Sequence, residues 1–154
     1  MKKILTILFT TVILFSCSKN DDNDNLDPNQ DNYYVEFTVD SKTYSMNNFK
    51  FVNSSQDTGY VYKVDASDAN DNSLDLEIGK INVGDHQFNP VEGTNENEVD
   101  LELSFENREW SGKVNEGVFK ITNSDSVFEA TFNGTFESDT MEKTISGKIK
   151  IKKQ

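Results

Sequence analysis

Val99-Asp100-Leu101-Glu102-Leu103-Ser104-Phe105 alternates apolar and polar residues without a break. A period of two places every apolar side chain on one face of an extended strand, whereas a helix would space them three and four apart. The same alternation recurs on both sides of this stretch. Upstream, Tyr33, Val35, Phe37 and Val39 alternate with Tyr34, Glu36 and Thr38, and Leu74, Leu76 and Ile78 alternate with Asp75 and Glu77. Downstream, Phe128, Ala130, Phe132 and Phe136 alternate with Glu129, Thr131 and Thr135, and Ile145, Ile149 and Ile151 with Ser146, Lys148 and Lys150. Each segment has one face to bury and one to leave wet, as strands of antiparallel sheets do.

Further strands are expected at residues 43–52, 60–64, 87–88, 109–113 and 118–122. Asp40-Ser41 suggests a tight hairpin, Asn123-Ser124-Asp125 another, and residues 137–142 a longer turn, all rich in residues that accept turn geometry. About eight or nine short strands predict an all-β fold, an antiparallel β-sandwich, with a lipocalin-like closed barrel as the alternative. Nine of the eleven phenylalanines follow residue 33 and supply most of the core volume. Gly112, Gly117, Gly134 and Gly147 fall in or beside strands, where they allow a bulge or a close backbone approach.

The chain opens with Lys2 and Lys3, an apolar run over residues 4–15 broken only by threonines, and Ser16-Cys17. That order reads as a secretory signal over residues 1–16, too short for the roughly 20 apolar residues of a membrane-spanning helix. Leu14-Phe15-Ser16-Cys17 resembles the lipobox of bacterial lipoproteins. The resemblance implies that Cys17 takes a diacylglycerol, becomes the mature amino terminus and is acylated there. Acyl chains at about 0.8 kcal/mol per buried methylene would then hold the protein on a membrane. The run Ser18-Lys19-Asn20-Asp21-Asp22-Asn23-Asp24 resembles the acidic export tag of Bacteroidetes-type outer-membrane lipoproteins. It implies the outer membrane and the cell surface, a periplasm-facing orientation being the alternative. Gly-x-Phe, Ile-Thr-Asn and Ile-Ser-Gly-Lys steps in the later half are similar to small lipoproteins of that type with a β-sandwich domain, a group that brings no established activity.

Residues 17–32 hold the modified cysteine and an acidic stretch whose only apolar residue is Leu26, too little to offset chain entropy. They read as a flexible tether, spanning roughly 20 Å as a coil. Residues 33–154 are then one domain. With 15 basic and 27 acidic residues the net charge is −12, or −14 once Lys2 and Lys3 leave with the signal. Such a surface repels phosphates and argues against a nucleic acid partner.

Little in the domain carries chemistry. Cys17 is the only cysteine and His86 the only histidine, so no thiol nucleophile is left and a zinc shell would rest on carboxylates. No Gly-x-Ser-x-Gly elbow is present to make a triad with His86. With 27 carboxylates, pairs suited to glycoside hydrolysis arise by chance, and no acid–base constellation is readable. No cofactor is expected. Asp65, Asp68, Asn70, Asp71 and Asn72 share a loop rich in oxygen ligands and are a candidate calcium site, though without EF-hand spacing. Trp110, the only tryptophan, could join Tyr60 and Tyr62 in an aromatic platform for sugar rings or a protein partner if all three face outward; packing in the core is the competing expectation. Lys148, Lys150 and Lys152 would form one charged face suited to an edge strand. The sequence thus reads as a membrane-anchored, non-catalytic binding module for a glycan or an envelope protein. A small-molecule carrier and a carboxylate-based hydrolase are the alternatives.

Overall fold

A computed structural model describes residues 33–53, 62–89 and 97–153; Cys17, the expected signal and tether, and Tyr60 lie outside them. Ten strands are described: β1 (Tyr34–Val39), β2 (Lys42–Met46), β3 (Asn48–Asn53), β4 (Tyr62–Ser67), β5 (Ser73–Ile78), β6 (Gly84–Phe88), β7 (Glu98–Phe105), β8 (Arg108–Ser124), β9 (Val127–Ser138) and β10 (Met141–Lys152). The all-β expectation holds. The strands form one sheet in the order β2-β1-β10-β9-β8-β6-β7-β5-β4-β3, antiparallel but for the β6–β7 pair.

The two ends of this sheet, β2 and β3, are consecutive in the chain and separated only by Asn47. The sheet therefore curls until it nearly closes on itself. One continuous wall replaces the two packed layers of a sandwich, so the barrel alternative describes the architecture. The physical reason lies in the last strands. β8, β9 and β10 run for 17, 12 and 12 residues and carry the sheet around the core without a break.

Such long strands must bend, and glycine is where they do. Gly112 pairs with Phe136 and Gly117 with Gly134, so Lys113, Val114, Asn115 and Glu116 bulge out opposite Thr135 alone. The bulge lets β8 pair with β7 through Arg108 to Ser111 and with β6 through Phe119 to Ile121. Phe88 of β6 fills the hollow that the glycines leave: a Cβ on Gly112 would stand 2.9 Å from its ring, and one on Gly117 2.3 Å from it.

The alternating apolar residues point inward as expected. Phe37, Tyr44, Phe105 and Trp110 form one aromatic cluster, with Phe37 and Tyr44 stacked at 4.8 Å and Phe105 and Trp110 at 5.3 Å. Phe88, Phe119, Phe132 and Phe136 form a second, and Phe51, Tyr62 and Phe128 a third. Several expected boundaries move. The longer turn at residues 137–142 is only Asp139-Thr140, and the turn at residues 123–125 falls on Asp125-Ser126, because strand pairing continues to Ser138 and Ser124. The lysine-bearing last strand is no edge. β10 lies between β1 and β9, where Lys148 pairs with Glu36 at 2.7 Å and Lys150 with Glu129 at 2.8 Å.

Candidate functional site

The strand registers give the barrel two unlike ends. The β1–β2, β4–β5, β7–β8 and β9–β10 turns gather at one, because Val39 pairs with Ile145, Ser73 with Ser104 and Ser111 with Glu137. The start of β1, the β8–β9 turn and the end of β10 lie at the other, since Tyr34 pairs with Lys150 and Lys152 with Val127.

The turns of the first end are polar and conformationally demanding. Asp40 and Ser41 have φ of 49° and 67°, and Glu106 and Asn107 of 55° and 58°. Positive φ at both central residues is what a two-residue hairpin of type I′ requires, and Asn, Asp and Gly adopt it most cheaply. Glu106 is a costlier occupant, and its carboxylate accepts a hydrogen bond from the Tyr44 hydroxyl at 3.2 Å. In the β4–β5 turn Asp71 has φ of 60°, and Asp68 organises the loop. Its Oδ1 accepts the Asn70 and Asn72 backbone N–H groups at 2.7 and 3.0 Å, and its Oδ2 the Asn72 side-chain amide at 2.7 Å. These bonds, the one from the Asn72 side chain first, hold the Asp68 carboxyl below the usual aspartate range.

Between these turns lies an open groove of about 600 Å³. Lys42, Thr43, Tyr44 and Ser45 of β2 form one wall, and Asp68, Asn70, Asp71 and Asn72 face them, with Ser104, Glu106 and Asn107 completing the lining. Lys42 lies 4.4 Å from the Tyr44 ring centroid, and the Tyr44 hydroxyl, with Glu106 nearby, raises the lysine above its ordinary range. A second groove of about 830 Å³ lies on the other side of the Glu106-Asn107 turn, lined by Arg108, Glu109, Ser111, Glu137, Ser138 and Asp139. This rim can offer hydrogen bonds and carboxylates to a ligand. Among the described residues that line its two grooves there is no histidine or cysteine.

The residues singled out in the sequence are not brought together. Trp110 is only 1% exposed and stacks inside the barrel on Phe105, which corrects the expectation of an aromatic platform. Tyr62 is half-buried against Phe51 in a different cluster, and Tyr60 lies outside the described residues. The cause is parity: Trp110 stands opposite inward-facing Leu103 in the β7–β8 register and must share its face. The calcium reading is corrected too. Asp65 belongs to β4 rather than to the loop, because Val64 and Ala66 on either side of it point inward. Its carboxylate meets Lys50 at 2.9 Å and Lys63 at 3.3 Å, while that of Asp68 is occupied by its own turn. Among the described residues no group of three or more His, Cys, Asp or Glu side chains is placed to hold a metal ion. His86 sits on β6, 2% exposed, with Nε2 2.8 Å from the Asn82 carbonyl oxygen, so it is a core residue rather than part of the rim.

The outer wall carries a second charged feature. Asp65, Asp75, Glu77, Asp100 and Glu102 lie across β4, β5 and β7, and the registers set Asp65 opposite Asp75, Asp75 opposite Glu102 and Glu77 opposite Asp100. Lys63 stands among them, 3.9 Å from Asp75 and 3.5 Å from Glu77. Burial, then Glu102 and Glu77, pushes the Asp100 carboxyl up to about 6. Burial raises Asp75 as well; in Asp65 the same effect is outweighed by hydrogen bonds from Lys50 and Lys63, which leave its carboxyl below the ordinary range.

Lys42, Glu106 and Asn107 were not singled out as functional residues in the sequence. The available signal was the spacing Phe105-x-x-Arg108 between two alternating runs, which marks a two-residue hairpin even where neither residue is glycine. Compared with known proteins, the chain matches no family model, no curated protein and no solved structure.

Proposed function

We propose that this chain is a lipoprotein of the outer membrane, anchored through acyl chains on Cys17 and displayed at the cell surface, whose barrel is a non-catalytic module binding a glycan or an envelope protein. The observation that carries the reading is the polarity of the barrel. The chain enters β1 at one end, and the grooved rim of hairpin turns is at the opposite end. A tether reaching the bilayer from Tyr33 holds that rim outward, where a partner can meet it. Three clusters of aromatic rings, nearly all of them buried, pack in the interior, which favours a module that binds at its rim over a carrier with an internal cavity.

Mass spectrometry of protein from its native type of cell tests the anchor: Cys17 as an acylated amino terminus is expected, and an intact leader or an unmodified thiol overturns it. Protease shaving of intact cells tests the orientation. Glycan-array and pull-down binding by the full chain, with Asn107→Ala and Asp71→Ala as rim variants, tests the module. Binding that ignores both variants would remove the rim from the reading.

A further inference from the structure

The groove of about 600 Å³ runs along an open edge of the sheet. β2 pairs with β1 on one side, and among the described residues no strand pairs with its other side. Four consecutive residues of β2, Lys42 to Ser45, line the groove. Side chains alternate between faces along a strand, so a surface lined by consecutive residues is the strand's backbone edge.

The register shows which backbone groups point there. Val39 and Lys42 flank the two-residue turn and form the hydrogen-bonded pair that closes it. The pattern then alternates: Lys42, Tyr44 and Met46 turn their N–H and C=O groups toward β1, while Thr43 and Ser45 turn theirs away. Asn47 continues the outward series, and its N–H donates to the Ser67 carbonyl at 3.2 Å, where the edge closes against β4. Above that point the edge of Thr43 and Ser45 is left facing the groove.

We propose that an extended, basic peptide segment of a partner protein adds to β2 as a further strand, with its backbone pairing to Thr43 and Ser45. This rests on the binding-module reading and specifies its ligand. Strand addition takes affinity from main-chain hydrogen bonds and selectivity from the flanking pockets. Among the described residues the lining of the groove carries Asp68, Asp71 and Glu106 against one cation, Lys42. That imbalance selects lysine or arginine side chains and repels the chain's own residues 20–32, which hold five aspartates.

The test uses the full chain in detergent and a capped six-residue peptide of alternating threonine and lysine, followed by amide hydrogen exchange and NMR titration. In the free protein the amides of Thr43 and Ser45 exchange fast and that of Tyr44 slowly; the peptide slows the first two and shifts their resonances. A glutamate-for-lysine peptide, and one N-methylated at alternate backbone amides, bind at least about tenfold more weakly. Ser45→Pro, which removes one outward N–H from an edge where proline is tolerated, weakens the basic peptide similarly. Because the N-methylated peptide leaves the protein unchanged, the test survives a Ser45→Pro protein that does not fold. Slow exchange of both amides in the free protein, equal binding of the N-methylated peptide, or resonance shifts elsewhere would overturn strand addition. If the peptides fail while glycan or protein capture still depends on Asn107 and Asp71, strand addition falls and the binding module stands. Loss of both removes the two together.

Discussion

Replacing Asp100 by asparagine is expected to stabilise the protein at neutral pH, by a gain that grows as pH rises from about 4 to about 6. One carboxylate oxygen of Asp100 is buried without a hydrogen-bond donor among the described residues, with Glu77 opposite it and Glu102 on its own strand. Burial and these neighbours move its carboxyl from 3.8 to about 6. Between those values the folded protein keeps a proton that the unfolded chain has lost, so stability falls as pH rises through the window. Above about 6 the penalty is complete. Two pH units correspond to about 3 kcal/mol, and because the side chain is only half-buried, solvent screening leaves about 1 kcal/mol. Asparagine keeps the shape, carries no charge and can donate to Glu77 or Glu102. For a domain of this size Tm should rise by about 3–5 °C at pH 7 and hardly change at pH 4. Thermal unfolding of both proteins across pH 4 to 8 measures this. A gain independent of pH, or a loss at pH 7, would refute repulsion and burial as the cause.

Gly112→Ala is expected to cost about 1–3 kcal/mol by pressing on Phe88, less the roughly 0.4–1 kcal/mol that alanine returns through the unfolded chain. The three atoms nearest the new Cβ all belong to the Phe88 ring, so Phe88→Leu should reduce the cost in a double-mutant cycle; Gly117→Ala also meets the Asn133 carbonyl oxygen at 2.7 Å and should show little such relief. Lys63→Met removes the cation among Asp65, Asp75 and Glu77 and should destabilise by about 1 kcal/mol or more, with part of the loss recovered in high salt during denaturant unfolding. Fluorescence of Trp110 should be blue-shifted and resist iodide quenching until the protein unfolds; ready quenching of the native protein would contradict the stacked, buried ring.

The alternating runs made the strands and their inward faces legible, since a period of two needs no partner to be recognised. Val99 to Phe105 reads the same in sequence and structure, with Val99, Leu101, Leu103 and Phe105 all buried. Shorter or less regular runs were harder. Ala66 is too small to mark the inward face of β4 by itself, so the local pattern suggests a loop from Asp65, whereas β4 continues to Ser67. The glycines announced bends, but not that three of them would share Phe88, because their clearance depends on a residue far from them in the chain.

Composition, alternation and turn residues are local properties, and they determined the all-β class, the core phenylalanines and the Asp40-Ser41 hairpin. Whether the strands close into one wall or split into two layers depends on which strand is whose neighbour, and so does the position of Trp110. Those choices follow from pairing between residues as distant as Val39 and Ile145, which no local pattern encodes. The grooved rim belongs to the same category: turns scattered from Asp40 to Thr140 become neighbours only when the registers bring them to one end, beside a strand edge that no described strand pairs with.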